Sequence, residues 1–117
     1  MRLTVCFNLI DKIMVKDPEI DKIKEICDEY SIFLIEDAAE SLGSKYMNSF
    51  SGCFGAYGVF SFNGNKIITT RGGGALICPD ADARNRALHL SNQAKLAKNY
   101  YDHDTVGYNY RMSNILA

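Results

Sequence analysis

The sequence predicts an α/β layered fold. Two observations carry this expectation. A helical pattern runs directly into a short, continuous apolar segment closed by two acids, and further short β-prone runs follow, separated by glycine-rich turns. Helices alternating with short apolar strands suit a sheet covered by helices. An unbroken apolar strand is the habit of parallel sheets buried on both faces.

The first helix is predicted to begin at Asp17-Pro18-Glu19. Asp17 suits an N-cap, Pro18 the first helical position, and Glu19 the positive helix end. Ile20, Ile23, Ile26, Cys27 and Tyr30 recur at helical spacing, with Asp21, Lys22, Lys24, Glu25 and Asp28 on the wet side. Ser31 begins a break, and Ile32-Phe33-Leu34-Ile35 reads as a buried strand. Glu36 and Asp37 close it at the strand's carboxyl end, where open α/β sheets bind ligands. Farther on, Val59-Phe60-Ser61-Phe62 reads as a second strand, followed by turn residues Asn63-Gly64-Asn65 and then Lys66. Residues 67–70 are β-prone, Arg71-Gly72-Gly73-Gly74 forces a turn, and residues 75–78 read as the returning strand of a hairpin. A second helix is expected over about residues 80–92, with Ala83, Ala87, Leu88 and Leu90 as its apolar positions. Residues 95–108 read as a Tyr-rich loop, and residues 111–117 as the first turns of another helix.

At 117 residues the chain suits one small domain. Its net charge of -1, with scattered Lys and Arg, gives no footprint for nucleic acid or an anionic membrane. No apolar stretch approaches the ~20 residues needed to span a bilayer. The opening residues lack a signal peptide's apolar region and cleavage site, so a cytoplasmic location is expected. Cys6, Cys27, Cys53 and Cys78 include no C-x-x-C pair, so no metal site is expected. Each cysteine is expected to be a small buried hydrophobe in a reducing compartment.

Asp37, Ser61 and Lys66 bear on chemistry together. If the two strands are near neighbours, a carboxylate, a hydroxyl and an amine converge on one rim of the sheet. That donor set suits pyridoxal phosphate, which needs an imine-forming lysine, an acid for its ring nitrogen and donors for its phosphate. Taken singly, a strand-end aspartate is more often a cap and a turn lysine more often solvated. His103 and the tyrosines at 100, 101, 108 and 110 read as loop residues, with packing favoured over a binding role for the tyrosines.

Longer motifs narrow this reading. They are Glu36-Asp37-Ala38-Ala39-Glu40-Ser41-Leu42-Gly43-Ser44, Gly55-Ala56-Tyr57-Gly58-Val59-Phe60-Ser61-Phe62, Asn65-Lys66-Ile67-Ile68-Thr69-Thr70, Gly72-Gly73-Gly74-Ala75-Leu76 and Gly107-Tyr108-Asn109-Tyr110-Arg111-Met112-Ser113. In order and spacing they resemble the DegT/DnrJ/EryC1/StrS family, fold-type I aminotransferases that act on nucleotide-linked keto sugars. The resemblance implies part of such an enzyme's large domain, a mixed sheet flanked by helices, truncated at both ends. Residues 17–117 would be a partial cofactor-binding domain, and residues 1–16 an atypical segment: it does not read like the strand expected before the helix, although residues 2–8 are apolar enough to be one and lack only the family's character.

The resemblance also implies roles. Lys66 matches the catalytic lysine that forms the imine with pyridoxal 5'-phosphate and then shuttles a proton. Asp37 matches the acid that pairs with the ring nitrogen, and Ser61 the hydroxyl that holds the phosphate. Asn109 matches an amide that reaches the cofactor phosphate of a neighbouring subunit, which implies a homodimer. Glu40 falls at a cofactor-binding position where many relatives carry Gln or His against the phenolic oxygen; a carboxylate there would repel a phenolate. Arg71 stands where an acid or small residue is more usual and reads as a solvated hairpin residue. The implied reaction moves an amino group from an amino donor, expected to be glutamate, to a nucleotide-linked 4-keto-6-deoxy sugar. The alternative is a non-catalytic or partner-binding fragment of such an enzyme. Relatives that remove a hydroxyl typically carry histidine in place of the lysine, and Lys66 argues against that branch.

Overall fold

The computed structural model describes residues 4–8, as backbone, together with residues 19–96 and 100–117. The chain divides into two compact units, Met1–Ile77 and Cys78–Ala117. In the first, strands β1 (Thr4–Asn8), β2 (Phe33–Asp37), β5 (Tyr57–Ser61) and β6 (Gly74–Ile77) form a sheet in the order β1-β2-β5-β6. β1, β2 and β5 are parallel, and β6 is antiparallel to β5. The expected mixed α/β sheet is therefore present. The atypical opening segment does supply a strand ahead of the helix, as its apolar residues allow: residues 4–8 pair in register with β2, from Thr4 opposite Phe33 to Asn8 opposite Asp37.

Helix α1 spans Ile20–Glu29; the predicted cap at Asp17 and Pro18 lies outside the described residues. Ile20 and Cys27 bury against Leu34 of β2, with Ile23, Ile32, Tyr46 and Phe54 partly buried around them. Ile26 and Tyr30 were expected on this face but are 54% and 67% exposed. At about 100° per residue both turn away from the line through Ile20 and Cys27, so the buried stripe is narrower than the sequence pattern. The helix ends in a Schellman arrangement: the Ile32 N–H donates to the Cys27 carbonyl at 2.7 Å and the Ser31 N–H to Asp28 at 3.2 Å. Ser31 supplies the left-handed residue this requires, at φ 53°.

β2 is not buried on both faces. Leu34 and Glu36 are buried, whereas Phe33 is 40% exposed and Ile35 and Asp37 are half-buried. A half-covered strand alternates, and here one of the inward positions is a carboxylate. The Glu36 side chain accepts from the N–H groups of Gly52 at 2.5 Å and Phe54 at 3.0 Å, which satisfies the charge and ties the following loop to the strand. That loop carries a small hairpin, β3 (Lys45–Tyr46) with β4 (Ser49–Phe50). Gly52 has φ +86°, and a Cβ on Gly58 would stand 2.0 Å from the Gly52 carbonyl oxygen, so both positions require glycine.

The expected hairpin between residues 67–70 and 75–78 does not form. β6 pairs with β5 instead, from Gly58 opposite Ile77 to Ser61 opposite Gly74. Residues 67–70 are held in turns: the Thr69 hydroxyl and Thr70 N–H both donate to the Phe62 carbonyl, and the Thr70 hydroxyl donates to Gly72. Threonine's local bonding wins over its β-propensity. Among the cysteines, Cys27 is buried as expected, but Cys53 is exposed and Cys78 only half-buried.

In the second unit, helix α2 (Ala81–Ser91) starts at Asp80, whose side chain accepts from the Ala83 N–H at 2.7 Å. Its expected apolar positions are half-buried. Residues 111–117 make a single turn, with the Leu116 and Ala117 N–H groups both donating to Ser113.

Candidate functional site

Parallel pairing sends the carboxyl ends of β2 and β5 to the same edge of the sheet. Asp37 is the last residue of β2 and stands opposite Val59; Ser61 ends β5. The Ala38 N–H still donates to the Val59 carbonyl at 2.8 Å, so the strands stay together as far as this rim. Both side chains shape the turns that follow. The Asp37 Oδ1 accepts from the Ala39 N–H at 3.1 Å, and the Ser61 Oγ accepts from the Asn63 N–H at 3.3 Å. Neither bond exhausts its group: a carboxylate has further lone pairs, and the serine retains its own O–H to donate.

The turn after β2 closes with the Ser41 N–H donating to Ala38 at 3.1 Å. Ser41 is buried and its carbonyl takes the hydroxyl of Ser51, which is also buried. Glu40 therefore sits on a turn anchored at both sides. The turn after β5 closes with the Lys66 N–H donating to Asn63 at 3.0 Å. Across the rim the Lys66 Nζ meets the Glu40 Oε1 in an ion pair. The Lys66 side chain is only 12% exposed, whereas Glu40 is 43% exposed. A solvated lysine, the bland expectation, does not describe it.

Asn109 lies in the second unit. The backbone on either side of it binds the carboxyl end of α2: the Tyr108 N–H donates to Leu90 and the Tyr110 N–H to Ser91, each at 2.9 Å, while Asn92 and Asn109 form a bridge. These bonds satisfy carbonyls that the helix end leaves without partners. Gly107 permits the approach, since a Cβ there would stand 2.4 Å from the Ala94 nitrogen. Asn109 is thus exposed on a braced segment. The same segment is fixed by His89 Nε2 with Asp104 Oδ1 at 2.6 Å, and by His103 Nδ1 with the Gln93 carbonyl oxygen at 2.7 Å. The hydrogen bond from His89 holds the Asp104 carboxyl below its ordinary value. His103 is accounted for by this loop bond. Tyr100, Tyr101 and Tyr110 are more than three-quarters exposed, so interior packing does not explain them; Tyr108 and Tyr110 stack on each other at 5.3 Å. Arg71 is exposed at φ 65°, a turn residue as expected.

Glu36, in sequence only a strand-closing acid, lies inside the strand's two-residue period on the same face as buried Leu34, and that position is the signal of its buried role. Among the described residues no group of three or more His, Cys, Asp or Glu side chains could hold a metal ion, and no helix is long and apolar enough to cross a membrane.

The model of the DegT/DnrJ/EryC1/StrS aminotransferase family matches residues 15–117. EpsN of Bacillus subtilis (strain 168), named provisionally as a pyridoxal phosphate-dependent aminotransferase, is 52% identical over 99 residues, covering 85% of this chain and 26% of EpsN. GDP-perosamine synthase of Escherichia coli O157:H7 is 43% identical over 99 residues, covering 85% of this chain and 27% of that enzyme. Among solved structures, Helicobacter pylori PseC, an aminotransferase involved in the biosynthesis of pseudoaminic acid, superposes with a TM-score of 0.77 at 29% identity, covering 86% of this chain and 28% of PseC. The chain spans about a quarter of the length of the curated relatives it matches.

Proposed function

Because this chain belongs to the DegT/DnrJ/EryC1/StrS aminotransferase family, we propose that it is the cofactor-holding part of a sugar aminotransferase. The whole enzyme would move an amino group, from glutamate, to a nucleotide-linked 4-keto-6-deoxy sugar for polysaccharide or glycan synthesis. The relatives named for perosamine and pseudoaminic acid support the sugar class. One observation carries the reading: two adjacent parallel strands end in Asp37 and Ser61, and the turns beyond them join Glu40 to a nearly buried Lys66 on the same rim.

This donor set fits pyridoxal 5'-phosphate. Lys66 would hold it through its amine, Asp37 at the ring nitrogen and Ser61 at the phosphate, with Glu40 bordering it on the lysine side. When bound, the cofactor supplies an electron-accepting ring. Asp37, as a carboxylate, favours a proton on the ring nitrogen through a charge-assisted hydrogen bond. Ser61 donates its hydroxyl while its oxygen keeps the Asn63 N–H, so the donor is oriented in advance. Lys66 Nζ, once free, takes the proton from one carbon and returns it at another. Burial of its stem limits the positions from which it can do so.

In the same reading residues 17–117 belong to the partial cofactor-binding domain, and residues 1–16 are a preceding segment that adds β1. Asn109 serves the phosphate of a second subunit's cofactor in a homodimer, and the enzyme is cytoplasmic. The test is to mix the purified chain with pyridoxal phosphate, record the absorbance spectrum, then reduce with borohydride and locate the adduct by mass spectrometry. A new band with an adduct on Lys66, both lost in Lys66→Ala, is the expected result. An unchanged spectrum and no Lys66 adduct would leave the chain a non-catalytic fragment.

A further inference from the structure

Resting on the cofactor reading of this rim, we propose that Glu40 is the positioning residue of Lys66, holding its amine at the strand ends before the cofactor arrives. The ion pair joins two side chains whose backbones are separately fixed. Asp37 caps the turn that carries Glu40, and buried Ser41 anchors its far side. Asn63 closes the turn that carries Lys66, and the Thr70 N–H donates to Phe62 just beyond it. A lysine on a long flexible stem otherwise samples many rotamers. Pairing across a braced gap selects those that place Nζ on the rim, which is the effect proximity exerts in catalysis.

The choice of glutamate fits this role. An ionised carboxylate only accepts and an ammonium only donates, so the two are complementary in charge and in hydrogen bonding. A carboxylate is also a poor neighbour for a phenolate oxygen, the contact made where relatives carry Gln or His. The geometry turns Glu40 to the lysine, and Asp37 acts twice: it ends β2 at the rim, and the turn its side chain caps presents the carboxylate that holds Lys66. The competing account is an incidental surface ion pair, of the sort that contributes little.

The test sets two reagents against each other on the full chain. Formaldehyde with cyanoborohydride labels any accessible amine; pyridoxal phosphate followed by borohydride marks an amine placed at the rim. Lys66 labelling is read by mass spectrometry as a ratio to Lys22 and Lys24, whose ion pairs with Glu19 and Asp28 are exposed, so general loosening of the fold does not imitate release. In Glu40→Gln, general labelling of Lys66 should rise several-fold while capture of pyridoxal phosphate slows several-fold. Glu40→Asp, which keeps the charge on a shorter arm, should restore part of both. A carboxylate that merely covers Lys66 would let both reagents in faster, and an incidental pair would move neither; either result overturns the proposal. If pyridoxal phosphate marks Lys66 in no form of the chain, the cofactor reading itself falls, whatever the general reagent shows.

Discussion

At the scale of single residues, the most consequential side chain outside the rim is Glu36. A fully buried carboxylate is costly unless its lone pairs are met. Here two backbone N–H groups of the loop before β5 meet them. Glu36→Ala removes the acceptor and leaves the Gly52 and Phe54 N–H groups unpaired. The expected cost is about 3 kcal/mol of stability, from the loss of two charge-assisted bonds. Urea unfolding followed by circular dichroism measures it; a midpoint unmoved from that of the parent chain would show that the loop holds without Glu36. The contrast with Asp37 explains what was legible at this scale. Asp37 and Ser61 could be set at strand ends and Lys66 on a turn from the sequence, because such residues announce themselves by composition; a shared rim followed only if the two strands were neighbours, which their composition does not state. Glu36 stands one position earlier and faces the opposite side of the strand. Its partners are loop N–H groups, which carry no residue signature. The Glu40–Lys66 pair was hidden for a related reason: it joins two turns far apart in the chain, and neither turn's sequence names the other.

At the scale of elements, α1, α2, β2, β5 and β6 lie nearly where the sequence pattern put them, whereas the strand expected at residues 67–70 and the pairing of β6 do not. The run at residues 67–70 has β-branched residues and would suit a strand, but its threonine hydroxyls bond locally and β6 goes to β5. Propensity describes a segment; pairing depends on a partner that a local window does not contain. The end of α1 shows the reverse case, where local chemistry is decisive. The Schellman closure needs a left-handed residue, and Ser31 takes that conformation at φ 53° despite its Cβ. The strain for a non-glycine residue is of order 1–2 kcal/mol. Glycine relieves it but adds freedom to the unfolded chain, which offsets about 0.4–1 kcal/mol. Ser31→Gly should therefore raise stability by roughly 0.5–1 kcal/mol. A rise in the thermal midpoint checks this, and a fall would show that the serine makes a contribution the backbone geometry does not reveal.

At the scale of the whole molecule, burial is thin and one sheet edge is apolar. Ile20, Cys27 and Leu34 make the buried cluster of the first unit. β6 closes the sheet's order, and all four of its residues are exposed. Leu76 stands opposite Val59 on the neighbouring strand, with 47% and 36% of their surfaces in water. β6 carries no charge and no proline, the two devices that usually blunt an edge strand. Such an edge invites a second copy to pair with it, adding backbone bonds and covering the Leu76 and Val59 side chains together. The 117-residue chain should therefore associate as its concentration rises, seen as a growing sedimentation coefficient. Leu76→Lys places a charge on the edge strand at a side chain already 47% exposed, and should hold the chain monomeric over the same range with its circular dichroism unchanged. If the parent chain stays monomeric throughout, the edge is protected by something other than its own side chains. If both chains associate alike, the contact lies elsewhere on the surface, and β6 is not where one copy meets another.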